Sequence, residues 1–244
     1  MRFRIMAGVV IAAGLTTVAP VLTITNGQPD GNRHPYVGLA IQFIPGTNLI
    51  SVCSGSALSD TRFLTAAHCF DPNLPALVTY KNEPPYSLAA DFTQGTFYPS
   101  DSYDVAVIVL DEPSDPGAFA ALPTAGLVDA LPMMTDVDII GYGVQGFIRG
   151  GGPPDQLFLL TRYFAPSQLI QSNHVISGRF IKLTANPAKG KGGVCFGDSG
   201  GPDILSGTNI ILGVNSFATN SNCAGVTYSQ RIDLPEVLAF IDSI

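Results

Sequence analysis

Close cysteine pairs, abundant charge and, past the first two dozen residues, long apolar runs are all missing from this chain of 244 residues. The four cysteines, Cys53, Cys69, Cys195 and Cys223, form no C-x-x-C pair, which argues against a thiolate zinc site. Four cysteines fit a protein made for an oxidising compartment, and three disulfide connectivities among them stay open. Lys and Arg total 12 against 19 Asp and Glu, a net charge of −7, and this acidic balance argues against nucleic acid as a partner. Charged residues make up 13% and hydrophobic residues 46%, a composition that supports a sizeable core and excludes a disordered chain. Of the three histidines, His34 and His174 have no motif around them. Glu83 and Asp91 lack the ligand pattern of a calcium loop, so no metal or cofactor is expected.

Beyond the first two dozen residues, nothing resembles a membrane-spanning helix. Those first residues read as a secretory signal peptide: Arg2 and Arg4 make a basic start, residues 5–19 are apolar and small, and Thr17-Val18-Ala19 suits cleavage. The competing reading is a retained anchor; Thr16, Thr17, Pro20 and Thr23 dilute the stretch and favour removal. The expected destination is therefore extracellular, with no stable membrane association after cleavage.

What is abundant is punctuation. The chain has 26 glycines and 19 prolines, and its apolar runs between residues 36 and 232 are short. Candidate strands cover residues 37–43, 51–58, 63–66, 105–110, 137–142, 158–164, 180–183 and 209–216, and a terminal helix covers 234–241. Many short strands and almost no helix make an all-β chain, and closed antiparallel barrels hold that many strands without exposed edges. Residues 113–124, rich in Pro, Ala and Asp, read as a crossing between two lobes, and residues 146–154 as a surface loop.

The most telling stretch is Gly197-Asp198-Ser199-Gly200-Gly201-Pro202. It sets a serine in a tight turn whose backbone N–H groups can converge on one spot, as an oxyanion requires. A serine hydroxyl needs a base to take its proton. Thr65-Ala66-Ala67-His68-Cys69 offers a histidine, and Tyr103-Asp104-Val105-Ala106-Val107-Ile108-Val109-Leu110 offers a carboxylate at the mouth of a buried strand. Taken singly, each has a plainer explanation: a turn serine, a hydrogen-bonded histidine, a strand-start aspartate.

Together, in the order His, Asp, Ser, these motifs resemble the trypsin/chymotrypsin-like serine peptidases. Gly141-Tyr142-Gly143 is similar to a Gly-Trp-Gly of that family. The resemblance implies two packed six-stranded antiparallel (Greek-key) barrels with a short C-terminal helix. One lobe would span about 24–120 and the other about 121–244, after a signal peptide with room for a short propeptide at 1–23. It implies His68 as base, Asp104 as its orienting partner and Ser199 as nucleophile, a triad whose mechanism is the worked example of the general principle. It also implies an oxyanion hole from the Gly197 and Ser199 N–H groups, a Ser216 bound to Asp104, and the disulfides Cys53–Cys69 and Cys195–Cys223. Proteolysis of a zymogen would free Ile24, whose amine would pair with Asp198, although Ile24-Thr25-Asn26-Gly27 departs from the family's Ile-Val-Gly-Gly at two positions.

For selectivity, the resemblance points to Gly193, Val194, Ser216, Phe217 and Ala218. Trypsin-like members that cut after Arg or Lys carry an aspartate where Gly193 stands, so an apolar rather than basic P1 residue (the residue whose carbonyl is attacked) is expected. Phe217 replaces a common tryptophan, and the spacing around Cys223 and Gly225 departs from the family, which implies a rearranged pocket wall. The expectation is a secreted, monomeric serine endopeptidase acting on proteins or peptides. Its rival is a catalytically silent binding or adhesion protein on the same scaffold, since fold does not fix function.

Overall fold

The computed structural model describes residues 27–144, 146–148, 155–171, 178–219, 223 and 225–244. A two-residue strand, β1 (Gln28–Pro29), comes first. The first barrel then closes from β2 (Val37–Phe43), β3 (Ile50–Ala57), β4 (Arg62–Thr65), β5 (Ala76–Thr79), β6 (Thr93–Pro99) and β7 (Ala106–Leu110), in the order β2-β3-β4-β7-β6-β5. Antiparallel pairing returns from β5 to β2, with Leu39 opposite Thr79. Val, Ile and Ala fill β7, the run that supports Asp104. Gly55 lets the barrel close on itself: a Cβ there would stand 2.3 Å from the Phe63 ring and 2.4 Å from the Leu64 carbonyl.

The second barrel contains β8 (Asp136–Gly141), β11 (Tyr163–Gln171), β12 (Phe180–Ala185), β13 (Pro202–Leu205), β14 (Ile211–Ala218) and β15 (Gly225–Arg231), with a hairpin of β9 (Gly146–Ile148) and β10 (Asp155–Leu157) beside them. The sheet runs β1-β11-β12-β15-β14-β13-β8, and pairing of β8 with β11 closes it, leaving β1 attached to β11. Short helices α1 (Leu88–Asp91) and α2 (Leu127–Ala130) lie on connections. The terminal helix α3 (Pro235–Asp242) starts on a proline, whose missing N–H costs nothing in a first turn. It buries Val237 and Ile241 in a core that also holds Phe63, Ile108, Ile140 and Tyr142 from the two barrels. Two six-stranded antiparallel barrels and a C-terminal helix are thus the architecture the sequence predicts.

The differences are local. Strand character begins at Tyr163 rather than at residue 158. Leu160 has φ 52° and the Arg162 N–H turns to the Asn82 carbonyl (2.8 Å), so this stretch leaves the sheet to bridge the barrels. The reading of 146–154 as a loop gives way at its start to β9, which pairs with β10; residues 149–154 lie outside those described. β5, β6, β13 and β15 are not anticipated by apolar runs. In β15 the buried side chains include Thr227, Ser229, Gln230 and Arg231, so burial and polarity part company there.

Arg162 is fully buried at the junction of the barrels and the N-terminal segment. Its Nε donates to Asp30 Oδ2 (2.9 Å), its Nη1 to the Val37 carbonyl (2.8 Å) and to the Tyr142 hydroxyl (3.2 Å), and its Nη2 to the Gly31 carbonyl (3.1 Å). His34, free of motif in the sequence, hydrogen-bonds Asp30 through its ring and backbone nitrogens. Burial alone would raise the Asp30 carboxyl, but the His34 hydrogen bonds and the charges of His34 and Arg162 hold it below the ordinary carboxylate value. Removing one partner of such a buried pair strands the other. Asp30→Ala is expected to lower stability by about 3–5 kcal/mol, read as a shift in the urea-unfolding midpoint.

Candidate active site

His68 and Asp104 come from the first barrel and Ser199 from the second. His68 lies in a 3-10 turn (Ala67–Cys69) just after β4, and the Cys53–Cys69 disulfide fastens that turn to β3. Asp104 sits two residues before β7. Its carboxylate accepts the His68 Nδ1–H (2.9 Å to either oxygen), the His68 backbone N–H (3.1 Å) and the Ser216 hydroxyl. The Asp104 N–H in turn donates to Gln230 Oε1 (3.2 Å). A proton held on Nδ1 leaves Nε2 of His68 as the acceptor, which is the tautomer a general base needs. Burial would raise the Asp104 carboxyl, yet the hydrogen bonds and charge of His68 and the Ser216 bond outweigh it and keep it below the ordinary value.

Ser199 rides on a turn that only glycine can shape. Gly197 has φ +92° and Gly200 φ +82°, both left-handed. A Cβ on Gly200 would fall 2.0 Å from Thr65 Oγ1 and 2.4 Å from the Ser54 carbonyl, so the glycine also lets the barrels touch. Ser54 of β3 holds the turn. Its N–H donates to the Ser199 carbonyl (2.8 Å), and its hydroxyl donates to the Gly197 carbonyl (3.0 Å) while accepting the Tyr142 N–H (2.9 Å). Among the described residues, the N–H groups of Gly197 and Ser199 have no acceptor, and Ser199 Oγ makes no hydrogen bond to His68. Such bonds are commonly long or misaligned before substrate arrives.

Asp198 points inward and is completely buried. Its carboxylate accepts the N–H groups of Gly143 (2.8 Å) and Cys195 (2.9 Å). Burial nevertheless dominates those bonds and pushes the carboxyl up to about 7. Gly141 and Gly143 wall this site: a Cβ on either would come 2.2 Å and 2.7 Å from Asp198 Oδ1. Ile24, the expected partner of Asp198, and His174 lie outside the described residues.

Next to Ser199 opens a cavity of about 470 Å³, walled by Val194, Cys195, Phe196, Asn215, Ser216, Phe217, Ala218, Thr219 and Cys223. Val194, Ser216, Phe217 and Ala218, flagged in the sequence, are among its lining. Gly193 backs the wall instead, pressed against β12 and β15: a Cβ there would meet Ala185 Cβ at 2.3 Å and Thr227 Cγ2 at 3.0 Å. The Cys195–Cys223 disulfide spans the rim. Sequence reasoning missed Asn215, which adjoins the flagged Ser216, and Ser54 and Gln230, which carry no motif.

The model of the Trypsin family matches residues 28–241. The chain belongs to this family of serine peptidases. Chymotrypsin-C of Mus musculus is 28% identical over 241 residues, covering 87% of this chain and 84% of the relative. A collagenase of Hypoderma lineatum is 27% identical over 214 residues, covering 79% and 74%. Among solved structures, HL collagenase superposes with a TM-score of 0.70 at 19% identity, covering 89% of this chain and 96% of the other. Human heparin binding protein gives 0.67 at 16% identity, covering 89% and 95%. At such identities the structural matches show the double-barrel fold. Family membership makes the chain a serine-type endopeptidase, with protein or peptide as the substrate class.

The Asp198 carboxyl gives a pH signature. A folded-state value above the unfolded one means that the folded chain holds the extra proton. The Asp198 contribution to stability is full below the ordinary carboxylate range, falls as pH rises through about 7, and is gone above it. In the unprocessed chain Asp198→Asn should flatten this fall, by roughly 4 kcal/mol at most. Denaturant midpoints for parent and variant between acid and neutral pH check it.

Proposed function

We propose that this chain is a secreted endopeptidase that cleaves peptide bonds through an acyl-enzyme on Ser199. His68 takes the Ser199 proton as the hydroxyl attacks the scissile carbonyl, and returns it to the leaving amine. Asp104 holds the imidazole in the required tautomer and stabilises the imidazolium. The N–H groups of Gly197 and Ser199 receive the tetrahedral oxyanion. The observation that supports this reading most is the Asp104 carboxylate, bonded by His68 and Ser216 at once beside a cavity that opens on Ser199.

The cavity walls are mainly apolar, with Val194, Phe217 and Ala218 among them, which suits an apolar P1 side chain. Residues 1–23 are removed, and the mature chain starts at Ile24, whose ammonium joins the uncompensated Asp198 carboxylate. The lobes divide near residue 120, where the crossing segment meets the second barrel at the Ala121–Ile210 bridge. The protein acts as a monomer. Among the described residues no helix is long and apolar enough to cross a membrane.

A binding protein on the same scaffold is the second reading. It is favoured by the missing Ser199–His68 hydrogen bond and by a charge at Asp198 with no cation beside it among the described residues. Labelling of processed protein with a fluorophosphonate separates the two. The endopeptidase labels at Ser199, and Ser199→Ala abolishes both labelling and peptide hydrolysis, with kcat down on the order of 10⁶-fold while the fold persists. Absence of label in material that starts at Ile24 would favour the binder. N-terminal sequencing of secreted protein tests the start site, and a first residue other than Ile24 defeats it.

A further inference from the structure

Behind the specificity cavity the second barrel is polar where a core is ordinarily apolar. β13 contributes Asp203, β14 Asn215, and β15 Thr227 and Ser229, all of them buried. Register makes them neighbours: Asp203 lies opposite Gly213, and Asn215 opposite Ser229. Gly213 leaves the space, since a Cβ there would stand 3.0 Å from Ser229 Cβ and 3.1 Å from Asp203 Oδ2. Asn215 lines the cavity, and the Thr227 methyl lies under Gly193. The polar layer thus begins at the cavity and ends on a carboxyl.

Its hydrogen bonds do not close. Ser229 Oγ donates to Asn215 Oδ1 (3.4 Å). Among the described residues, both Asp203 oxygens, Asn215 Nδ2 and Thr227 Oγ1 have no hydrogen-bond partner. A buried polar group left without a partner is costly, and a buried unpaired charge costs more. Such a cluster next to a binding cavity marks functional sites more than ordinary cores. Burial pushes the Asp203 carboxyl up to about 8, offset only in part by the nearby Ser229 hydroxyl. The groups facing it are Ile139 of β8, Ile181 of β12, Gly213 of β14 and Ser229 of β15, none of which titrates. Asp104, paired with His68, is bonded by Ser216, the neighbour of Asn215.

We propose that Asp203 is a specificity-determining residue, a carboxyl behind the cavity wall that stays protonated when the cavity holds an apolar P1 side chain and gives its proton to solvent when the cavity holds a cationic one. The inference rests on the peptidase reading for what occupies the cavity. A Lys or Arg side chain brings an apolar stem to the walls and a charged tip to the Asn215 layer. Behind Asn215 the unpartnered acceptors of that layer are the Asp203 oxygens, and the donor-only tip is drawn toward them. Across a single layer of side chains in a poorly polarisable interior, the attraction between tip and carboxylate persists. The acid that Gly193 fails to supply on one wall comes from a strand beyond the nucleophile turn, so that the cavity admits both substrate classes, in a ratio set by pH.

The probe is benzamidine, an aromatic ring ending in a cation, with benzyl alcohol as an uncharged counterpart. Binding is measured by calorimetry in two buffers of different ionisation enthalpy at neutral pH. The protein is the processed chain carrying His68→Ala and Ser199→Ala, so the triad imidazole cannot contribute. Release of close to one proton per benzamidine and none per benzyl alcohol is expected. Asp203→Asn should abolish the release and weaken benzamidine by about tenfold or more. Asp203→Ser serves if the first variant fails to fold. No proton release in the parent, or equal release after Asp203 is replaced, overturns the proposal. Because the readout is binding to a protein without a nucleophile, failure of Ser199 to react in the unmodified enzyme would leave this result standing, and the reverse holds too.

Discussion

The base and the nucleophile belong to different barrels, so everything chemical here depends on how those barrels are locked together. Ser54 is the lock. One buried serine uses its N–H, its hydroxyl and its carbonyl to join β3 to the Ser199 carbonyl, the Gly197 carbonyl, the Tyr142 N–H and the Thr65 hydroxyl. Ser54, Tyr142 and Thr65 are buried, so sliding one barrel past the other would leave several of these groups without partners at once. Such a seam has one register and no graded alternatives. It fixes the height of Ser199 relative to the 3-10 turn that carries His68, and the Cys53–Cys69 bridge anchors that turn from the same strand. The disulfide limits what the turn can do in the unfolded chain, while the seam determines where it sits in the folded one.

Buried charge divides into two kinds. Arg162 with Asp30, and Arg231 with Asp129 and Asp233, are paired and multiply hydrogen-bonded; they join the N-terminal segment and the approach to α3 to the barrels. Asp198 and Asp203 have no cation beside them among the described residues, and burial raises both. The first kind is structural, because each arginine is buried with its charge paired and hydrogen-bonded, and the pairs hold elements in place, although Asp129 itself is exposed. The second kind clusters around Ser199 and its cavity. Uncompensated acids so close to a nucleophile make sense if each awaits a partner: a chain terminus for Asp198, the tip of a substrate side chain for Asp203.

What could be read in the sequence follows from how local each cause is. The Gly197–Pro202 turn is local, because left-handed φ angles at Gly197 and Gly200 require glycine and the serine between them is visible beside it. The Val105–Leu110 run is local too, since a fully buried strand needs unbroken apolar residues. β15 was invisible for the opposite reason: Thr227, Ser229 and Gln230 are polar yet buried, so no apolar pattern marks them. The stretch 158–162 read as strand because its residues are apolar, but they serve as a bridge whose shape is set by Arg162. Gly193 suggested a neutral pocket, and nothing in the local sequence linked Asp203 to that pocket.

The sequence by itself determined the class of the fold, the three motifs and the residues with the chemical capacity to act, because those depend on backbone freedom, apolar runs and side-chain type within a few positions. Tertiary structure alone decided that Asp104 receives both His68 and Ser216, that Ser54 joins the barrels, and that Asp203 stands behind the cavity. Each of these is a contact between strands far apart in the chain, and its energy comes from shared burial, which exists only once the barrels have closed.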